Sequence, residues 1–251
     1  MTAISWRRNR RAQNPTGAMT VVEHLGELRR RLFISLAAVL VGAVVAFFLS
    51  HEIISFLVGF YRDATNGKRH ALVFTGPLDG FVTRLKIAAY GGIVLALPVL
   101  LYQLWRFVTP ALDRKEKRYA VPFVVASVTL FVAGAVVALF TLTEALSFLL
   151  GVGGNNLQPL LTADKYLSLV SLMVIAFGVS FEFPVLLTFL LVARVVSTRQ
   201  LRNWRRYAIV LLVAFAAIIT PSADPFSMFA MAIPLVLFYE ACIVIGRVLK
   251  R

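Results

Sequence analysis

The chain reads as an all-α integral membrane protein, a bundle of six transmembrane helices, and three observations carry that reading. Of its 251 residues 59% are hydrophobic and the mean hydropathy is +0.82, whereas soluble domains hold about 45–50% apolar residues even with glycine counted. The apolar residues fall in long blocks without the strict alternation of a membrane barrel, and within lipid the helix satisfies its own backbone. Of the 26 Lys and Arg residues, 20 fall in segments that six crossings leave on one side, so the positive-inside bias places both termini in the cytoplasm. The +14 net charge follows from that topology and suits anionic lipid headgroups better than nucleic acid.

Each element has its own signal. Residues 1–20 carry Arg7, Arg8, Arg10 and Arg11 with Asn14, Pro15 and Gly17, the composition of a mobile basic cytoplasmic tail. Residues 21–251 are then a single six-helix transmembrane domain. Val21, Leu25, Leu28 and Leu32 recur at helical spacing while Glu23, Glu27 and Arg31 take another face, which predicts an amphipathic helix running into span one, 32–50. That apolar block is longer than a signal-peptide core and ends without a small-residue cleavage site, so it is expected to stay in the membrane. Spans two and three run over 87–108 and 121–142. The outer loop before span two has room for short helices, with Phe56, Leu57, Phe60 and Tyr61 able to pack on the bundle. Span four, 166–192, is expected to kink, because Pro184 has no N–H for the carbonyl one turn earlier near Ser180. Span five, 207–220, is short: it reaches about 21 Å against a hydrocarbon core of about 30 Å. Span six covers 226–245.

Few residues offer chemistry. None of His24, His51 or His70 lies in a span, there is no nucleotide-binding loop, and the lone Cys242 excludes an intramolecular disulfide and a cysteine metal cluster. No metal, cofactor or enzymatic activity is expected. Glu182 stands out, since an acidic side chain at the centre of a membrane helix costs about 2.5–3.5 kcal/mol on insertion scales. It marks either a site for a partner, proton or substrate, or a structural hydrogen bond between helices, and no further polar groups at mid-membrane are read beside it. At the cytoplasmic face Glu27 and Glu116 lie in the basic segments HLGELRRRL and RKEKR. Either carboxylate is neutralised by its neighbours, or the two form a receptor for cations. Arginine suits such a receptor best, because its planar fork pairs bidentately with carboxylate.

At these residues the sequence resembles a family. HLGELRRRL from His24, LYQLWRFVTPALDRKEKR from Leu101, FGVSFEFPVLL from Phe177, RRYAIV from Arg205 and ITPSADPFSMFAMAIP from Ile219, followed by LFYE, are similar to the TatC family, the multispanning core of the twin-arginine translocase. The resemblance implies a receptor for twin-arginine signal peptides that helps export folded proteins across the cytoplasmic membrane, driven by the protonmotive force. It implies single-span partners of the TatA and TatB type, and self-association in a larger complex. It assigns signal-peptide binding to Glu27 and Glu116 with Arg29 and Phe107. An intramembrane, partner-facing role goes to Glu182, and Tyr239 and Glu240 fall in a partner-docking region on spans five and six. Pro77, Asp79 and Asp224 are outer-loop candidates. Here the chain reads PLDGF where the family commonly has PLE, and TPSAD where it often has TPPD. The alternative is a proton-coupled transporter of a small solute using Glu182 and Glu240, against which the absence of inverted repeats counts.

Overall fold

The structure, a computed structural model, describes residues 21–65, 72–108, 120–152 and 160–248. The expected basic tail and Glu116 lie outside the described residues. Eight helices follow one another: α1 (Val21–Phe48), α2 (Ser50–Ala64), α3 (Asp79–Val108), α4 (Ala120–Val152), α5 (Ala163–Ser180), α6 (Phe183–Val192), α7 (Thr198–Ile219) and α8 (Pro225–Val248). Five units are long and apolar enough to cross a membrane: α1, α3, α4, the α5–α6 pair and α8. The chain is thus a multi-pass helical membrane protein. α7 stands where the sequence predicts the short fifth span. Arg199, Arg202, Arg205 and Arg206 occupy its beginning, so its apolar part, 207–219, covers only about 20 Å.

The amphipathic segment and span one form one unbroken helix, α1. It packs along α3 through small residues. A Cβ built on Gly42 would stand 2.6 Å from the Gly92 carbonyl oxygen, and one on Gly92 would stand 2.6 Å from the Ala43 nitrogen. Such close backbone approach is how helices associate where lipid removes any hydrophobic drive between them. Gly92→Val is therefore expected to push α1 off α3 and destabilise the fold by about 1–3 kcal/mol, read as a lower unfolding temperature in detergent. An unchanged midpoint would show that α1 is held elsewhere.

The kink of the fourth span falls at the expected place and for the expected reason. Pro184 has no N–H to give the Ser180 carbonyl, so α5 stops at Ser180 and Phe181 and Glu182 make a turn before α6. Hydrogen bonds of the tighter pattern, Glu182 N–H to Val179 (3.1 Å) and Val185 N–H to Glu182 (3.1 Å), carry the chain across. The core around it comes from α4, α5, α6 and α8, with Leu142, Phe177, Leu191, Met231 and Leu235 fully buried. A second cluster stacks Trp105 on Phe123 (ring centroids 4.9 Å apart), with Phe189 edge-on to Trp105 at 5.3 Å.

The face away from the basic side is tied by polar contacts. α2 buries Leu57, Tyr61 and Ala64, and the Tyr166 hydroxyl donates to the Leu57 carbonyl at 2.6 Å. Val73 pairs with Thr162 in a short parallel bridge. Lys86 of α3 makes an ion pair with Asp164 of α5 at 2.6 Å.

Candidate functional site

The first candidate site lies where α1 and α3 end together on the basic side. One turn separates Glu27 from Arg31, whose Nε and Nη2 both donate to a single oxygen of that carboxylate, Oε1. Arg31 also donates from Nη1 to Gln103 Oε1 of α3 at 3.2 Å, which fixes the pair against the second helix. Glu27 Oε2 is buried and has no hydrogen-bond partner among the described residues. Beside it the His24 ring stacks on Phe107 with centroids 4.4 Å apart and planes 16° from parallel. Helical spacing explains the grouping: positions 24, 27, 28 and 31 share one face of α1. Arg29 is on another face, about 200° around the helix from Glu27, and its guanidinium lies 5.8 Å from the Phe33 ring. The expected set is thus brought together at Glu27 and Phe107 but not at Arg29.

The second candidate site is at the kink. Glu182 is half-buried, and its Oε1 has no hydrogen-bond partner among the described residues. It stands ten residues, about 15 Å, from the α6 C-terminus, near mid-membrane. Ser127 of α4 is the polar side chain near the carboxyl group. Ser127 is itself fully buried and accepts from the Trp105 indole N–H at 2.8 Å. Indole can only donate, so the Ser127 proton is not used by Trp105. Trp105 and Ser127 thus place polar groups beside Glu182 where the sequence shows an isolated carboxylate.

The remaining candidates have local partners. Tyr239 is buried and donates to the Leu201 carbonyl at 2.7 Å, tying α8 to the start of α7. Glu240 pairs with Arg205 of α7 at 2.5 Å. Glu240 thus faces α7 whereas Glu182 faces α4. At the end of the bundle away from the basic side Asp79 accepts from the Thr75 N–H, the Thr75 hydroxyl and the Gly76 N–H, each at 2.8 Å, and so fastens the turn that leads into α3. Pro77 is exposed within that turn. Asp224 caps α8 by accepting from the Ser227 N–H at 2.8 Å, with Pro225 in the first helical position.

Trp105, Ser127, Arg31, Gln103 and His24 were not singled out from the sequence as site residues. A polar side chain inside an apolar block was the available signal for Ser127. Nothing in the sequence indicates which neighbouring helix it faces.

Comparison with known proteins places the chain in one family. The family model described as Sec-independent protein translocase protein (TatC) matches residues 23–234. The Sec-independent protein translocase protein TatC of Frankia casuarinae is 43% identical over 98% of this chain and 70% of its own length. That of Aquifex aeolicus is 39% identical over 93% of this chain and 97% of its own. A crystal structure of the twin-arginine translocase receptor TatC superposes with a TM-score of 0.75 at 39% identity, covering 91% of this chain and all of the other. With the family model matching residues 23–234 and relatives aligned along nearly the whole chain, the chain belongs to the TatC family of Sec-independent protein translocase components.

Proposed function

We propose that this chain is the translocase subunit that binds twin-arginine signal peptides and, with TatA- and TatB-type single-span partners, exports folded proteins using the protonmotive force. It sits in the cytoplasmic membrane with both termini and the basic side in the cytoplasm, and it self-associates in a larger complex. The observation that carries this reading is the Glu27 carboxylate, held by Arg31 through one oxygen and leaving the other buried and open. A guanidinium from a signal peptide supplies the donors which that oxygen lacks. Glu116 takes the second arginine, while Phe107 and Arg29 border the peptide. The partner helices dock at Glu182, whose Oε1 is likewise open, and along α7 and α8 near Tyr239 and Glu240. Pro77, Asp79 and Asp224 shape the outer helix ends that the partners and cargo meet. A chain of this size does not enclose a pore for a folded domain, so the passage is shared with the partners.

The proton-coupled transporter reading is weakened by geometry, since Glu182 and Glu240 face different helices and make no relay between them. Photo-crosslinkers placed at positions 27, 116 and 182, with and without a twin-arginine peptide, test the assignment. Positions 27 and 116 are expected to capture the peptide, and position 182 a single-span partner. Peptide capture only at 182 would overturn the assignment.

A further inference from the structure

α6 and α7 each pack on α8 rather than on each other, and a groove of about 560 Å³ remains between them. Phe183 and Leu190 of α6, Val196 of the connecting turn, Trp204 and Leu211 of α7 and Tyr239 of α8 line it. The walls are almost wholly apolar. From Leu201 to Leu212 the groove runs about 16 Å, starting at the basic-side end of α7 and reaching into the membrane. Trp204 and Tyr207 at its mouth are 57% and 56% exposed, the placement of aromatic residues at headgroup level.

The turn at the mouth carries an unusual residue. α6 ends with the Val195 N–H donating to the Leu190 carbonyl (3.0 Å) and the Arg194 N–H to the Leu191 carbonyl (3.2 Å). This is the Schellman pattern, whose left-handed position glycine normally fills. Here that position is Arg194, with φ of 58°. Its side chain is exposed and makes no ion pair among the described residues. A strained backbone that presents an unpaired cation beside an apolar groove points to a ligand with an anionic head and a hydrocarbon tail. Arg205, adjacent to Trp204, is paired with Glu240, so Arg194 is the cation left free at the mouth among the described residues.

We propose that this groove is a binding site for an anionic glycerophospholipid, with one acyl chain between α6 and α7 and the phosphate at Arg194. The dimensions favour a lipid over a helix. About 560 Å³ spread over the about 16 Å from Leu201 to Leu212 gives a cross-section of about 35 Å², against about 80 Å² for a helix 10 Å across. The depth is also that of one leaflet rather than of the whole bilayer. The site uses neither Glu27 nor Glu182, but it shares Tyr239 with the partner-docking face on α7 and α8, so a lipid held there and a docked partner helix are alternative occupants that the experiment below separates.

Trp204 reports on the site directly. The full chain is reconstituted in phosphatidylcholine vesicles in which a minor fraction is phosphatidylglycerol brominated in the acyl chains, or phosphatidylcholine brominated in the same way. The quenching of Trp204 is read as the difference from a Trp204→Phe protein. The brominated phosphatidylglycerol is expected to be enriched at Trp204 about fivefold over the brominated phosphatidylcholine, the scale of one arginine near a charged lipid surface. Arg194→Gly is expected to remove that enrichment while keeping or raising the unfolding temperature, since glycine relieves the left-handed position. Ala208→Phe, which fills the groove, is expected to lower the quenching with Arg194 intact. Equal quenching by the two lipids, or enrichment that survives Arg194→Gly, overturns the proposal. So does quenching by neither lipid, which would assign the groove to a second copy or a partner helix. The wild-type comparison alone decides the matter if either variant fails to fold.

Discussion

Glu182→Ala is expected to abolish stable assembly with single-span partners while leaving twin-arginine peptide binding intact. The carboxyl group has Ser127 nearby and, among the described residues, a buried Oε1 without a partner, so alanine removes a group at the kink able to offer a partner helix a hydrogen bond. Interhelical hydrogen bonds in membranes contribute about 0.6–1.7 kcal/mol in measured cycles, which is about three- to twentyfold in association. Repeated over the copies of an oligomer, that loss is enough to disperse it. Glu182→Gln separates two versions of the role, because glutamine keeps donors and an acceptor but exchanges no proton. Assembly and export both surviving in the Gln variant would mean that Glu182 is a hydrogen-bonding handle. Assembly without export would place a proton step there. Co-purification of a tagged partner reads assembly, and export of a folded reporter reads transport. If Glu182→Ala instead lost peptide crosslinking with partner association intact, the division of roles between the two sites would be wrong.

How much of this was legible in the sequence depends on what each feature rests on. The spans were legible because membrane insertion is governed by local hydropathy, and the kink because Pro184 acts on its own helix. The ends were less so: α4 continues to Val152, ten residues past the predicted 142, because a helix can extend beyond the apolar block that identifies it. Facing relations were hidden. A helix apolar all round has no periodicity to show which side meets a neighbour, so Ser127 beside Glu182, Arg31 on Gln103 and the α6–α7 groove emerge only from packing. In α1, where polar residues recur at helical spacing, the sequence did place Glu27 and Arg31 on one face. The same spacing argument sets Arg29 apart from them, as the structure does. The family resemblance, which transfers roles position by position, does not resolve faces.

Glu27→Gln tests the recognition face with the second large effect. Hydrogen bonds to a charged group contribute about 1.5–3 kcal/mol, so losing the carboxylate is expected to weaken twin-arginine peptide binding by about tenfold to a hundredfold. Glu116→Gln is expected to act in the same direction, and the double variant to bring crosslinking to background. A competing explanation is that Glu27 merely anchors Arg31, and the two accounts diverge at Arg31 itself. If anchoring were the whole role, Arg31→Gln would lose peptide binding as Glu27→Gln does. If Glu27 is the ligand, Arg31→Gln frees the Oε1 that Arg31 now occupies, and peptide binding is retained or strengthened. The Arg31–Glu27 pair then acts as an internal competitor: with Oε2 buried, an incoming guanidinium reaches the carboxylate by displacing Arg31, which it does only if it can engage both oxygens. A lysine presents a single point charge and cannot match that bidentate geometry. A twin-lysine peptide is therefore expected to bind weakly to the wild-type chain and to gain most from Arg31→Gln. Titration of labelled twin-arginine and twin-lysine peptides against the wild type, Glu27→Gln and Arg31→Gln in nanodiscs measures all of these differences. Equal loss of twin-arginine binding in both variants would remove Glu27 from the recognition site and leave it as a support for α1.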